Sequence, residues 1–172
     1  MTDYIAHFDG GTKKISSKDC IYWGFQIWEQ ANVIHGQHIL KPDKLVKEVN
    51  GFTSDYTTNN EAEYTALIKL LEELRDGKLE RRIIKIKGDS KLVSQQVFGN
   101  WKVKADNLKQ FNKKAKMLVT ELFYQHEIEI LASHSPREES KQSMVDKWAR
   151  QALINGKKVE HTNLQHQGGE II

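Results

Sequence analysis

The spacing of apolar residues in the first third of the chain predicts β-strands. Tyr4–Asp9 is largely apolar on both faces, as is typical of a central strand covered by other elements, and Gly10 and Gly11 are expected to end it. Strands that follow one another directly favour antiparallel pairing. A second strand, a weaker extended segment and a third strand are predicted over Ile21–Trp28, Val33–Leu40 and Leu45–Phe52.

Helical periodicity begins at Glu61. The segment Glu61–Arg75 carries leucines at positions 67, 70, 71 and 74, which form one stripe, and Gly77 is expected to end this helix. Strands that alternate with helices favour parallel crossovers. We therefore predict an α/β fold with a five-stranded mixed sheet, its first three strands antiparallel, flanked by helices. The later elements are strand Arg82–Lys87, helices Ser90–Phe98 and Ala105–Tyr124, strand Glu127–Leu131 and helix Ser143–Ile154.

The length of 172 residues predicts one domain, because domains typically hold about 100–200 residues. We assign the folded domain to residues 1–156 and a polar tail to residues 157–172. The single Cys20 forms no internal disulfide, which suits a reducing compartment. The N-terminal segment lacks a signal-peptide pattern, and no apolar run approaches the ~18 residues of a membrane span. A cytoplasmic protein that does not bind membranes is expected.

The charge is concentrated in one part of the chain. The formal net charge is only +3, but 13 Lys and Arg and 4 Asp and Glu lie between Arg75 and Leu118. A basic segment of this kind can bind a polyanion such as a nucleic acid. A solvated, lysine-rich surface would have the same composition.

Four acidic residues are candidates for one shared site. Asp9 and Asp89 follow predicted strands at their carboxyl ends, where sites form in open α/β sheets. Glu63 shares the direction of the leucine stripe, so its carboxylate points at the sheet, where an unpaired charge is costly unless a metal binds it. Asp146 lies at the start of the last predicted helix. Glu61, about 200° from Glu63 around its helix, is expected to face solvent.

Each acid also has a local explanation. Asp9 could form a glycine turn, and Glu63 could form a capping box with Asn60. Asp89 could cap the helix that follows it, and Asp146 could interact with a helix dipole. None of these explanations requires four acids to meet at one edge of a sheet. Oxygen ligands without a Cys or His framework would suit Mg²⁺ or Mn²⁺, and two such ions can catalyse phosphoryl displacement.

Four stretches of the chain resemble the ribonuclease H family, in the family's order. They are FDGG (Phe8–Gly11), TTNNEAEYTALI (Thr57–Ile68), GDSKLVSQQVFGNWKVK (Gly88–Lys104) and SPREESKQSMVDKWAR (Ser135–Arg150). The resemblance is closest to the compact bacterial and archaeal type 1 members. It implies the ribonuclease H-like fold and a metal-dependent endonuclease that cuts the RNA strand of an RNA–DNA hybrid, leaving 5′-phosphate and 3′-hydroxyl ends.

The resemblance also implies roles for individual residues. Asp9 would bridge two Mg²⁺ ions, for which Mn²⁺ could substitute, and Asp146 would complete the site of the ion that activates water. Glu63 and Asp89 would hold the ion on the leaving-group side, and His134 would assist proton transfer or product release. The hybrid is the only partner implied, and a monomer is expected. The implied substrate-binding residues are Gly10, Gly11, Thr58, Asn59, Asn60, Ser90 and Lys91, with Trp101, Lys102 and Lys104 on the DNA-strand side.

The chain departs from the family pattern at two places. Lys91 stands where many members carry Gln, and the segment before Asp146 is about two residues longer than usual. The alignment of the loop Ser133–Gln142 is therefore open, and His134 could be a surface residue without a role. Trp101 could likewise be a packing aromatic.

Two other functions are compatible with a cluster of this kind. One is a structure-specific DNA nuclease of the same fold, which would lack the TNN-x-AEY block. The other is a nucleic-acid-binding module without catalysis, which would not need all four acids.

Overall fold

The computed structural model describes residues 4–30, 43–77 and 83–162, which form a mixed sheet with helices on both faces. The segment Val33–Leu40 lies outside the described residues. In chain order the elements are β1 (Tyr4–Ile15), β2 (Lys18–Glu29), β3 (Lys44–Thr53), α1 (Asn59–Asp76), β4 (Ile83–Gly88), α2 (Lys91–Val97), α3 (Asp106–His126), β5 (Glu129–His134), α4 (Ser140–Asn155) and β6 (Val159–Thr162).

The sheet has the order β5-β4-β1-β2-β3-β6. The first three strands of the chain pair antiparallel, and β4 pairs parallel with both β1 and β5, which confirms the predicted mixed α/β fold. Within the described ranges the sheet has six strands rather than five, because β6 pairs antiparallel with β3. The backbone N–H of Val159 also donates a hydrogen bond to Asn50 Oδ1 at 3.2 Å. Residues 159–162, which we assigned to the polar tail, therefore belong to the sheet.

Most element boundaries differ from those predicted by one to three residues, and two of the differences bear on the site. β1 does not end at Gly10 but stays paired with β2 as far as Ile15, and the chain reverses at Ser16 and Ser17, which both have left-handed φ values of 50° and 67°. α4 begins three residues earlier than predicted, at Ser140. The buried residue of its first turn is Gln142, which is polar, so no apolar periodicity marks this turn.

The two faces of the sheet are covered by different helices. Trp23, Phe25 and Ile27 of β2 belong to the same buried cluster as the leucines of α1, and α3 packs against α1. A side chain at Gly24 would face the other side of the sheet, where its Cβ would lie 2.8 Å from the Cα of Ala149. The absence of a side chain at Gly24 therefore allows α4 to lie directly on β2. Side chains from helices on both faces can therefore reach the carboxyl end of β4 and the neighbouring middle of β1. Among the described residues, no helix is long and apolar enough to cross a membrane.

Candidate active site

Three of the four predicted carboxylates meet beside the carboxyl end of β4, next to the middle of β1. Asp9, Glu63 and Asp89 each offer an oxygen, and these oxygens all lie within 4.8 Å of one another. The parallel register of β1 and β4 pairs Phe8 with Gly88, so the aspartates that follow them lie side by side. The sequence-based expectation that these residues converge is therefore confirmed.

Gly10 allows Glu63 to reach the two aspartates. A Cβ at Gly10 would lie 2.3 Å from the carbonyl oxygen of Ala62 and 2.9 Å from the backbone nitrogen of Glu63. Because those atoms belong to the backbone, no side-chain rotation could relieve the overlap. The missing side chain lets the beginning of α1 lie directly against β1.

Asp146 approaches the cluster from α4, on the opposite face of the sheet. Its carboxyl group is close enough to that of Asp9 for each to shift the pKa of the other. Arg150, one turn later on α4, places Nε 3.2 Å from Asp146 Oδ2, and its guanidinium lies over the ring of Tyr22. Because α4 begins at Ser140, Asp146 lies in the second helical turn, so the proposed interaction with the helix dipole is wrong.

The local explanations for the other acids are wrong as well. The N-cap of α1 is Thr58, whose backbone N–H donates to Glu61 Oε1 at 3.0 Å while Glu61 N donates to Thr58 Oγ1 at 3.2 Å. Glu61 is thus a buried member of the capping box and does not face solvent. This leaves Glu63 free to join the aspartates. Ser90, not Asp89, caps α2, and β1 continues past Asp9 without a turn.

Burial and mutual repulsion change the protonation of the cluster. Burial, then the contact with Asp146 and the charge of Asp89, raise the pKa of Asp9 to about 8. Burial and the charges of Asp9 and Asp89 raise the pKa of Glu63 well above its ordinary value. Burial also acts to raise the pKa of Asp146, but the hydrogen bond from Asp9 and the guanidinium of Arg150 outweigh it and lower that pKa. Without a bound cation, the cluster therefore favours the protonated form of Asp9 and of Glu63 over the ionised form.

A divalent cation fits this donor set. Glu63 Oε2 is buried and receives no hydrogen bond, and its neighbours are the carboxyl groups of Asp9 and Asp89. All the atoms that could bind a metal ion here are carboxylate oxygens, which are the ligands that Mg²⁺ and Mn²⁺ prefer. A cation would compensate the burial and the repulsion together.

The raised pKa values predict how stability depends on pH. A carboxyl group whose pKa is raised on folding contributes stability below its unfolded pKa of about 4, and this contribution is lost as pH rises through the folded pKa, which is about 8 for Asp9. For protein freed of metal by a chelator, we expect the midpoint temperature of thermal unfolding to decrease as the pH is raised from 5 to 9. Bound Mg²⁺ should oppose this decrease. Scanning calorimetry with and without Mg²⁺ measures this. Parallel curves under the two conditions would contradict it.

Two basic side chains that the sequence analysis did not single out lie beside the acids. Arg137, which is 80% exposed, places Nε 3.3 Å from Asp89 Oδ2. Arg150 could have been found from its i,i+4 spacing to Asp146 on a helix. Arg137 lies in the loop before α4, where no periodicity indicates which side chain points at the acids.

The remaining predicted residues surround the cluster. His134, at the end of β5, is exposed and has Nε2 3.2 Å from the carbonyl oxygen of Asp89. Gly11 is buried against Tyr22, whose hydroxyl oxygen would lie 2.3 Å from a Cβ at this position. Trp101 is 45% exposed and therefore not a core residue. The other predicted substrate contacts are exposed or half-buried: Thr58, Asn59 and Asn60 at the start of α1, Ser90 and Lys91 at the start of α2, and Lys102 and Lys104 before α3.

The chain is similar in sequence to known proteins. The family model for reverse transcriptase-like proteins matches residues 41–152. Ribonuclease HI of Halobacterium salinarum is 30% identical over 115 residues, which are 67% of this chain and 50% of that protein, so the chain spans about half the length of this curated relative.

Solved structures of ribonucleases H have the same fold. The N-terminal ribonuclease H domain of a Mycobacterium tuberculosis protein has a TM-score of 0.65 and 24% identity, with 90% of this chain and 96% of that chain covered. The crystal structure of LC11-RNase H1 in complex with an RNA/DNA hybrid has a TM-score of 0.62 and 24% identity, with 90% and 99% covered.

Proposed function

Because the chain belongs to the reverse transcriptase-like family and has the ribonuclease H fold, we propose that it is a metal-dependent endonuclease that hydrolyses the RNA strand of RNA–DNA hybrids. The products would carry 5′-phosphate and 3′-hydroxyl ends. The observation that carries the proposal is the convergence of Asp9, Glu63 and Asp89, with Asp146 in contact with Asp9. The relative from Halobacterium salinarum is named ribonuclease HI, which supports the same activity.

The four carboxylates would hold two Mg²⁺ ions, with Mn²⁺ as a substitute. When bound, these ions would supply an activated water and stabilise the charge that develops on the leaving oxygen. Asp9 lies between the other acids and would contact both ions. Asp146, which arrives from the opposite face of the sheet, would hold the ion on the water side, and Glu63 and Asp89 would hold the other.

Surrounding residues would orient the hybrid across this site. Thr58, Asn59 and Asn60 are exposed at the start of α1, where they can contact the ribose 2′-hydroxyls that distinguish RNA from DNA. Trp101 and Lys102, together with Lys104, are exposed between α2 and α3 and would contact the DNA strand. Ser90 and Lys91, with the backbone of Gly10 and Gly11, would complete the substrate contacts.

His134 would move a proton at the leaving group without being essential. Its ring is exposed, and within the described part of the chain its one hydrogen bond is to the backbone carbonyl of Asp89, so water can replace it. We expect His134→Ala to reduce kcat by about tenfold or less, below the 10²–10⁴-fold typical of an obligatory general acid or base, with KM unchanged. Steady-state cleavage of a labelled hybrid measures this, with His126→Ala, exposed at the end of α3, as the control. Complete loss of activity would show that His134 is essential.

The proposed function is tested with the full chain, Mg²⁺ and four end-labelled substrates: an RNA–DNA hybrid, duplex DNA, duplex RNA and single-stranded RNA. We expect internal cuts confined to the RNA strand of the hybrid, with a phosphate on the 5′ side of each product. Cuts in duplex DNA would instead indicate a structure-specific DNA nuclease. Binding of the hybrid without cleavage in either Mg²⁺ or Mn²⁺ would indicate a non-catalytic binding module. Either result would overturn the proposal.

A further inference from the structure

The solvent-facing side of α3 carries a row of cations followed by exposed apolar side chains. Lys109, Lys113 and Lys116 are spaced i, i+4, i+7, so they lie on one side of the helix, and all three are exposed. Further along the same side the exposed fractions of Met117, Phe123 and Tyr124 are 62%, 51% and 77%. We call these six residues the α3 outer face.

Among the described residues, no acid neutralises two of these lysines. Lys109 forms an ion pair with Asp106 at 2.8 Å, and Lys114, which points away from the outer face, pairs with an acid of α1 at 3.7 Å. Within residues 4–30, 43–77 and 83–162, Lys113 and Lys116 have no ion-pair partner. Their uncompensated charge is complementary to a chain of phosphates.

The aromatic residues add a different kind of contact. The rings of Phe123 and Tyr124 meet edge to face at 5.0 Å, which leaves a face of the 77% exposed Tyr124 open to solvent. Tyr124 also lines an open groove of about 660 Å³ together with Lys113 and Lys116. Cations beside exposed aromatic rings bind single-stranded nucleic acid, because unpaired bases can stack on the rings. A duplex keeps its bases stacked inside and could use only the lysines.

The direction of α3 connects this face to the candidate active site. α3 leads into β5, which is parallel to β4, so the helix runs away from the edge of the sheet where the acids lie. It starts just after Trp101, Lys102 and Lys104, where the proposed function places the DNA strand. A helix of 21 residues is about 30 Å long. A DNA strand that leaves the hybrid at Trp101 would meet the lysines of α3 first and the aromatic rings next.

We propose that the α3 outer face binds a single-stranded extension of the hybrid's DNA strand, with Lys113 and Lys116 on its phosphates and Tyr124 stacked on a base. The proposal rests on the proposed function for the position of the hybrid. Its consequence is a preference for hybrids whose DNA strand continues beyond the paired region.

The test is equilibrium binding of the full chain to fluorescent hybrids in metal-free buffer, where no cleavage occurs. One hybrid is blunt. In two others the DNA strand extends beyond the paired region at one end or the other, and in a further hybrid the RNA strand extends; each single-stranded tail is roughly 10 nucleotides long. We expect one DNA-tailed hybrid to bind more tightly than the blunt one. The double variant Lys113→Ala, Lys116→Ala should abolish this gain. For the DNA-tailed hybrid, it should also reduce the slope of the log of the binding constant against the log of the salt concentration by about 1.4. Tyr124→Ala should reduce the gain at least about fivefold.

The matched control is Lys157→Ala, Lys158→Ala, which removes two exposed lysines near β6 at the far edge of the sheet. This control should retain the full gain, and all variants should bind the blunt hybrid equally. Equal affinity of the natural sequence for tailed and blunt hybrids would overturn the proposal, as would an equal gain from an RNA tail. The protein could instead prove to be a dimer that the change Tyr124→Ala dissociates, while a tail has no effect on affinity. That result would also overturn the proposal and would assign the α3 outer face to contact with a second copy of the chain.

Cleavage of the blunt hybrid in Mg²⁺ is measured in parallel with the same protein. Failure there overturns the proposed function, whereas binding of labelled single-stranded DNA alone still tests the α3 outer face. The two proposals can therefore fail separately.

Discussion

Asp9→Asn is expected to abolish cleavage of the hybrid while making the metal-free protein more stable. Asp9 lies between the other acids, so the amide removes the ligand that both cations would share. Loss of about 4 kcal/mol of transition-state stabilisation corresponds to about a 10³-fold fall in rate. The same change removes a buried group that can ionise only at a cost, so thermal stability at pH 8–9 should rise.

Cleavage rate and melting temperature of the same preparation test both halves of this prediction. Asp19→Asn, in the exposed β1–β2 hairpin, is the matched control and should leave both quantities unchanged. Near-normal cleavage by Asp9→Asn would show that the acid cluster is not the active site. A fall in melting temperature at high pH would show that neighbouring carboxylates do not repel Asp9.

Gly10→Ala is expected to impair folding and catalysis together. Its Cβ would overlap the backbone of Ala62, and the overlap can be relieved only if α1 moves away from β1. Overpacking of this kind costs about 1–3 kcal/mol in the free energy of unfolding. Displacing Glu63 by about 1 Å would slow cleavage by about 10²-fold. Urea unfolding and single-turnover cleavage measure the two effects.

Gly156→Ala provides the control for lost stability. Gly156 has a left-handed φ of 65° and lies at the end of α4, where an added methyl group would have no atom within 4 Å. Alanine there should cost about 1–2 kcal/mol through backbone strain, without moving any acid. If both glycine variants lose stability but cleave at the normal rate, the close approach of α1 to β1 does not position Glu63.

Much of the architecture was predictable because the signals are local. The leucine stripe of α1 sets which side of that helix is buried, and this places Glu63 on the inner side. Asp9 and Asp89 each follow an apolar stretch of sequence, and the parallel pairing of β1 with β4 then brings them together. Both features follow from the 3.6-residue period of helices and the 2-residue period of strands. These periods are visible in the sequence without knowledge of any long-range contact.

The errors arose where hydrogen bonds, which leave no apolar periodicity in the sequence, decide the outcome. Glu61 lies on the outer side of its helix by periodicity, yet it is buried because the loop before α1 places Thr58 in reach of its carboxylate. The start of α4 was missed because Gln142 is buried through hydrogen bonds to His7 and to the carbonyl of Phe8, more than 130 residues away. β6 was missed because its short polar sequence is held by pairing with β3.

By itself, the sequence determined which four acids could form a site and that the site would lie at the carboxyl end of β4, because residue type and periodicity are local properties of the chain. Only the tertiary structure decided that Asp146 reaches Asp9 from the opposite face, that Gly10 makes room for α1, and that Arg137 and Arg150 lie beside the acids. These features depend on how closely elements far apart in sequence pack against one another, and no local pattern encodes that distance.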